Sequence, residues 1–205
     1  MRTLIIIDVQ NDFMSDGALP VPHGEDIVPI INSVMEHFEL IVASMDWHPQ
    51  NHKSFAANHV NRKPYDHINI NGMDQILWPN HCVWGSIGAQ FHPQLNTSRI
   101  ETIFRKGVDP DIDSYSCFYD NLHQKSTGLV GYLSEKKSTK LYFCGLCADI
   151  CVYFSIKDAI DAGFSCCLIE DATMPLRKDD FAVLKKELTQ LGVEIISSKD
   201  IKQKL

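Results

Sequence analysis

The sequence predicts an α/β fold: one domain built on an open, six-stranded, mostly parallel sheet with helices on both faces. Three observations predict it. Short, near-continuous apolar runs alternate with stretches whose apolar residues recur at helical spacing. The runs lead into polar or charged residues, as strands do where they leave a buried sheet. A chain of 205 residues suits one well-buried domain better than two.

The elements follow in order. Residues 4–7, Leu-Ile-Ile-Ile, form a strand ending at Asp8. A helix follows with Ile27, Ile30, Ile31, Val34 and Phe38 on one face, and Pro29 is tolerated in its first turn. Residues 40–44 form a second strand ending near Asp46, and residues 102–105 a third ending at Lys106. A short helix over 129–135 precedes a fourth strand at 141–144. Gly145 to Asp149 turn the chain into a helix opening at Ile150, with Val152, Ile156, Ala159 and Gly163 on its packed face. Asp149 is the expected N-cap, which places Cys151 in the first helical turn, where the backbone N–H groups favour thiolate. Residues 166–169 make a fifth strand ending at Glu170 and Asp171. A helix with Phe181, Leu184, Leu188 and Leu191, closed by Gly192, leads to a sixth at 193–196. Residues 47–100, rich in Asn, His and Pro, show weak periodicity and read as short helices forming a pocket wall within the single domain 1–205.

Composition narrows the function. With 44% hydrophobic and 22% charged residues, the chain has the make-up of a soluble globular protein. A net charge of −7 argues against nucleic acid or an anionic membrane as partner. The seven cysteines are odd in number and lie in or beside apolar runs, which points to a reducing, cytoplasmic setting. The N-terminal apolar run is too short for a signal peptide, and no segment approaches the ~20 apolar residues of a membrane span.

In an open parallel sheet, ligands bind at the carboxyl ends of the strands. Asp8, Asp46, Lys106 and the turn carrying Cys151 are therefore expected to meet at one edge. Asp8 would take the Cys151 proton and Lys106 would balance the charges, the logic of covalent catalysis. Taken singly, each has an ordinary explanation: core cysteine, turn aspartate, solvated lysine. Their shared edge is what raises them to candidates. Asp46 and His48, at i and i+2, project from the same side of an extended chain, and His81 sits in a turn-rich setting further on. One Asp and two His suit a borderline divalent metal such as Zn, Fe or Mn, with positions open for water or substrate. His52 and His59 are alternative ligands, while His23, His37, His92 and His123 read as surface residues.

Over almost its full length the chain resembles the nicotinamidase (pyrazinamidase) branch of the isochorismatase-like cysteine hydrolases. The resemblance rests on Ile7-Asp8-Val9-Gln10-Asn11-Asp12-Phe13, Asp46-Trp47-His48-Pro49 with Asn51-His52 and Ser54-Phe55, and Trp78-Pro79-Asn80-His81-Cys82. It continues through Lys106-Gly107, Asp113-Ser114-Tyr115-Ser116 and Gly145-Leu146-Cys147-Ala148-Asp149-Ile150-Cys151-Val152. It implies a triad of Asp8, Lys106 and Cys151, and one divalent metal, zinc before iron or manganese, on Asp46, His48 and His81. It also implies a cis peptide bond between Leu146 and Cys147, with an oxyanion hole from the backbone N–H groups of Cys147 and Cys151. Phe13, Trp47 and Tyr115 would line the substrate pocket. The implied reaction is hydrolysis of nicotinamide, and of pyrazinamide, through a Cys151 thioester, feeding NAD salvage; the implied protein is a cytoplasmic enzyme, with a homo-oligomer among the assemblies left open. Relatives carry a small residue such as Ala where this chain has Cys147, which leaves the backbone role intact and adds a second thiol. The rival readings are another amidase of the same superfamily, which would not need the metal donors, and a redox protein using Cys144-Gly145-Leu146-Cys147 as a C-x-x-C motif.

Overall fold

Six strands hydrogen-bond in the order β5-β2-β1-β6-β7-β8, every neighbouring pair parallel, in a computed structural model that describes residues 1–70 and 72–204. Asn71 and Leu205, both inside the expected domain 1–205, lie outside the described residues. The strands are β1 (Arg2–Ile7), β2 (Leu40–Asp46), β5 (Thr102–Lys106), β6 (Lys140–Leu146), β7 (Ser165–Met174) and β8 (Glu194–Ile196). A separate antiparallel hairpin, β3 (His67–Ile70) and β4 (Met73–Ile76), lies in the segment expected to hold only short helices.

Side chains two apart on a strand share a face, and that alternation sorts the core into two layers. Leu4, Ile6, Ile41, Ala43, Tyr142 and Cys144 pack on one side with Ile27, Val28, Ile31 and Val34 of α1 (Ile27–Val34) and Ile201 of α5 (Ser198–Lys204). Ile5, Ile7, Val42, Leu141, Phe143 and Leu168 pack on the other. There they meet α2 (Leu129–Glu135), α3 (Tyr153–Asp161) and α4 (Lys178–Gln190) through Leu133, Ile156, Ala159, Phe181 and Leu188. Both faces are covered, so the strands can be apolar throughout, and parallel strands separated by helices are the outcome. Among the described residues, no helix is long and apolar enough to cross a membrane.

Several boundaries differ from expectation. The first helix ends its α-helical part at Val34, and a 3-10 turn over Met35–His37 stops before Phe38. β7 runs on past Asp171 to Met174, with a register shift against β6 between Phe143 and Gly145. Gly163 and Leu191 are exposed: each lies beyond the end of its helix rather than on the packed face.

The segment after β6 departs furthest. Ala148–Val152 forms a π-helical turn, with Val152 N–H donating to Cys147 O at 3.1 Å, and α3 begins only at Tyr153. Asp149 is not its N-cap. Its carboxylate instead accepts the backbone N–H groups of Leu176 (2.8 Å) and Arg177 (2.9 Å), two donors at the start of the α4 approach that would otherwise be unpaired.

Gly145 marks where β1 and β6 press together. Its φ is +112°, and a Cβ there would sit 2.0 Å from Ile7 O, one residue before Asp8. Gly145→Ala is therefore expected to cost more than about 2 kcal/mol of stability, read as a lower urea midpoint at unchanged slope.

Candidate active site

The strand order puts β5, β2, β1 and β6 side by side, so Lys106, Asp46, Asp8 and the Cys147–Cys151 turn leave the sheet next to one another. Asp46 and Lys106 are partners in the β2–β5 register, and Ile7 and Gly145 in the β1–β6 register. The Lys106 ammonium, fully buried, lies 2.9 Å from Asp8 Oδ2, 2.5 Å from Asp46 Oδ1, 3.0 Å from Ser114 O and 3.4 Å from Cys151 Sγ. Asp8 Oδ1 accepts a 2.6 Å hydrogen bond from Ser44 Oγ; Oδ2 faces Lys106 without hydrogen-bond geometry. Carboxylate oxygens of Asp8 and Asp46 and the Cys151 sulfur lie within 4.8 Å of one another.

The other oxygen of Asp46, Oδ2, is 3.6 Å from both His48 Nε2 and His81 Nε2. Each ring turns its Nδ1 to a backbone carbonyl 2.9 Å away, Gly107 O for His48 and Pro79 O for His81. With Nδ1–H donated there, both Nε2 lone pairs point at the shared space beside Asp46, the arrangement that outer hydrogen bonds impose on metal-binding histidines. Local structure holds this in place. His48 N–H donates to Cys82 O (3.0 Å), and Asp12 accepts Cys82 N–H (2.6 Å), so the His81–Cys82 turn is tied both to β2's extension and to the N-terminal loop. Gly107, at φ +64°, lets His48 lie close, since a Cβ would meet its ring at 2.2 Å.

A narrow pocket joins the two halves. Phe13, Leu19, Trp78, Tyr115, Ile150 and Leu176 line it together with Asp46, His48, His81, Cys147 and Cys151. The Leu146–Cys147 peptide bond at its edge is cis. Phe13 and Tyr115 thus lie where expected, and Phe13 packs edge-on to His81 at 5.6 Å. Trp47 does not. The alternation that aims Asp46 and His48 into the site sends Trp47 the other way, where the Arg105 guanidinium covers its ring at 4.1 Å.

Residues 2–200 match the isochorismatase domain family. The chain belongs to the isochorismatase family. It is 40% identical to a nicotinamidase of Acinetobacter baylyi over 199 residues, covering 97% of this chain and 93% of that protein. Among solved structures it resembles a nicotinamidase/pyrazinamidase of Acinetobacter baumanii, with TM-score 0.95, 40% identity, and 98% and 97% of the two chains covered. It also resembles a Pyrococcus horikoshii pyrazinamidase in complex with zinc, with TM-score 0.79, 32% identity, and 96% and 98% covered.

The electrostatics of this isochorismatase-family site follow from burial and one cation. Burial opposes ionisation of Asp46, but Lys106 and then His48 overcome it and hold the carboxyl well below its usual range. Burial likewise opposes a charged Lys106, and Asp46 and Asp8 more than reverse it, so the ammonium keeps its proton. Asp8 is raised: burial dominates, Lys106 pulls against it, and the Asp46 charge adds to it. Cys151 is also raised, by burial first and by the two carboxylates, with Lys106 opposing. These effects favour the thiol form of Cys151, contrary to the helix-terminus expectation. The reasons are that the sulfur is buried and that the carboxylates of Asp8 and Asp46 lie beside it. Burial works against a proton on His48, yet Asp46 raises its basicity. The space between these side chains therefore favours positive charge. With two imidazole nitrogens and one carboxylate as donors, it fits a divalent cation.

His52 sits behind this set. Its Nδ1 is 2.7 Å from Ser54 Oγ, its buried Nε2 has no hydrogen-bond partner among the described residues, and burial lowers its pKa to about 4. His59, by contrast, bonds Lys53 O through Nε2 (2.7 Å), away from the donor set.

Several contributors escaped the sequence reading. Trp78 and Ile150 line the pocket although both lie within quoted motifs, and Ser44, two residues before Asp46 on β2, could have been found from strand alternation. Gln10 was also missed as a holder of Asp46. Its amide accepts Asp46 N–H (2.8 Å) and donates to Asp46 O and Ala89 O (2.8 Å each). Gln10→Ala would strand these three buried backbone groups and is expected to lower stability by about 3 kcal/mol in chemical denaturation.

Proposed function

We propose that the chain hydrolyses nicotinamide to nicotinate and ammonia with one divalent metal ion, and accepts pyrazinamide in the same way. One observation carries this reading. The Lys106 ammonium joins a thiol–carboxylate pair to the carboxylate of a two-histidine donor set, so nucleophile and metal donors face one narrow pocket. The relatives' activities and the zinc in one of them support it. Asp46, His48 and His81 would hold the ion, zinc before iron or manganese. When bound, it supplies a Lewis-acidic anchor for the pyridine nitrogen, with no part in attacking the amide.

The protein residues carry the chemistry. Phe13 packs against the ring while the carboxamide lies over Cys151. Asp8, its Oδ2 free of hydrogen bonds, accepts the thiol proton as sulfur attacks the carbonyl carbon, and Lys106 offsets the thiolate charge. Backbone N–H groups of Cys147 and Cys151 donate to the oxyanion, an arrangement worth about 3 kcal/mol per donor. Asp8 then passes its proton to the leaving nitrogen, which departs as ammonia and leaves a thioester on Cys151. Water, deprotonated by Asp8, releases nicotinate and restores the thiol. This step would supply nicotinate to NAD salvage, and seven cysteines without a disulfide fit the reducing conditions of a cytoplasm.

Ammonia release from nicotinamide, with metal analysis before and after chelation, tests the reading. Turnover should fall on chelation and return with a divalent ion, and metal-replete protein that releases no ammonia would sink the proposal. Cys151→Ala should abolish turnover, while Cys144→Ala should spare it, because the Cys144 sulfur faces Ile5 O within the sheet at 3.7 Å. Ser44→Ala removes a hydrogen bond that favours the Asp8 carboxylate, so Asp8 should ionise at higher pH. The acid limb of the kcat/KM profile should then move up by about one pH unit.

A further inference from the structure

A second cavity, of about 450 Å³, lies beside the catalytic pocket. Ile76 of the hairpin, Phe154 of α3, and Val183 and Leu184 of α4 give it an apolar lining. Trp78, Tyr115 and Ile150 line both spaces, whereas Asp46, His48, His81, Cys147 and Cys151 line only the inner one. Three side chains are therefore the partition between the site of chemistry and an outer apolar chamber. Its charged groups make contacts of their own. Arg177 pairs with Asp180 at 3.1 Å, and Asp149 is bonded to two backbone N–H groups. What remains for recognition is apolar surface, including Phe154 and Val183, which are 41% and 66% exposed.

We propose that this outer cavity is a substrate subsite that receives an alkyl or aryl group on ring carbon 5 of a pyridine-3-carboxamide. The inference rests on the substrate orientation proposed above. Ring nitrogen 1 and carbon 3 flank carbon 2. With the nitrogen at the Asp46–His48–His81 donors and the carboxamide at Cys151, carbon 5 lies across the ring from carbon 2 and points away from both anchors. The wall with open space behind it is the one made by Trp78, Tyr115 and Ile150. A group on carbon 5 would reach past these side chains into the apolar chamber. Unsubstituted nicotinamide leaves the chamber unused.

Steady-state kinetics on the metal-replete enzyme tests this with nicotinamide and 5-phenylnicotinamide side by side. Burying the phenyl group against the apolar lining is expected to lower KM by about tenfold relative to nicotinamide. Val183 lines only the outer cavity and is largely exposed, so Val183→Trp should fill the chamber, remove the advantage of the phenyl compound and leave nicotinamide turnover unchanged. Turnover of nicotinamide without turnover of the phenyl compound overturns the subsite. So does a phenyl preference that survives Val183→Trp, or one lost as protein concentration rises, which would give the chamber to a second copy of the chain. If neither compound releases ammonia, the catalytic reading itself fails, and the subsite falls with it.

Discussion

The ammonium of Lys106, enclosed between Asp8 and Asp46, is the contact on which the rest of this site depends. Two carboxylates brought this close in a dry interior cannot both ionise without a cation, and the cation cannot stay charged there without them. Each of the three makes the others' charge states possible. The cluster also divides the labour of Asp46, whose one oxygen meets the ammonium while the other faces the two histidines. A change in either half of the pocket is felt in the other through a single side chain. The sheet order makes this arrangement possible, since four neighbouring strands deliver their last residues to one place.

Much of this was legible in the sequence because parallel strands buried on both faces announce themselves as short apolar runs. The residues that follow them then converge by a rule of the fold rather than by sequence distance. The strand order itself was not legible, because no local pattern records which strand lies beside which. The β3–β4 hairpin was hidden for a different reason: the alternation of Ile68 and Ile70 with His67 and Asn69 spans a single four-residue strand, and the hairpin's residues are mostly exposed or half-buried. The α5 helix carries Ile201 as its buried anchor, too little for a helical period to register.

At the site, local rules misled where tertiary bonds took over. Asp149 has the chemistry of an N-cap, but backbone donors 27 and 28 positions ahead claim it, and the turn around Cys151 widens instead of closing as an α-helix. The acidity expected of Cys151 failed with that cap, because burial outweighs what a helix terminus offers. Trp47 was misplaced by its company in a motif, although the alternation used to pair Asp46 with His48 already turned it away. Gln10 has no signature beyond its neighbours, and its value lies in matching both backbone groups of a residue 36 positions distant.

The distribution of the seven cysteines makes the protein its own conformational gauge. All seven are buried and none forms a disulfide, and of these Cys147 and Cys151 line the pocket. A thiol reagent small enough to enter the pocket meets at most the sulfurs of Cys147 and Cys151 in the native state, and all seven once the chain opens. The stoichiometry of labelling thus counts native molecules, and blocking the pocket with an aromatic acid separates occupancy from unfolding in the same measurement.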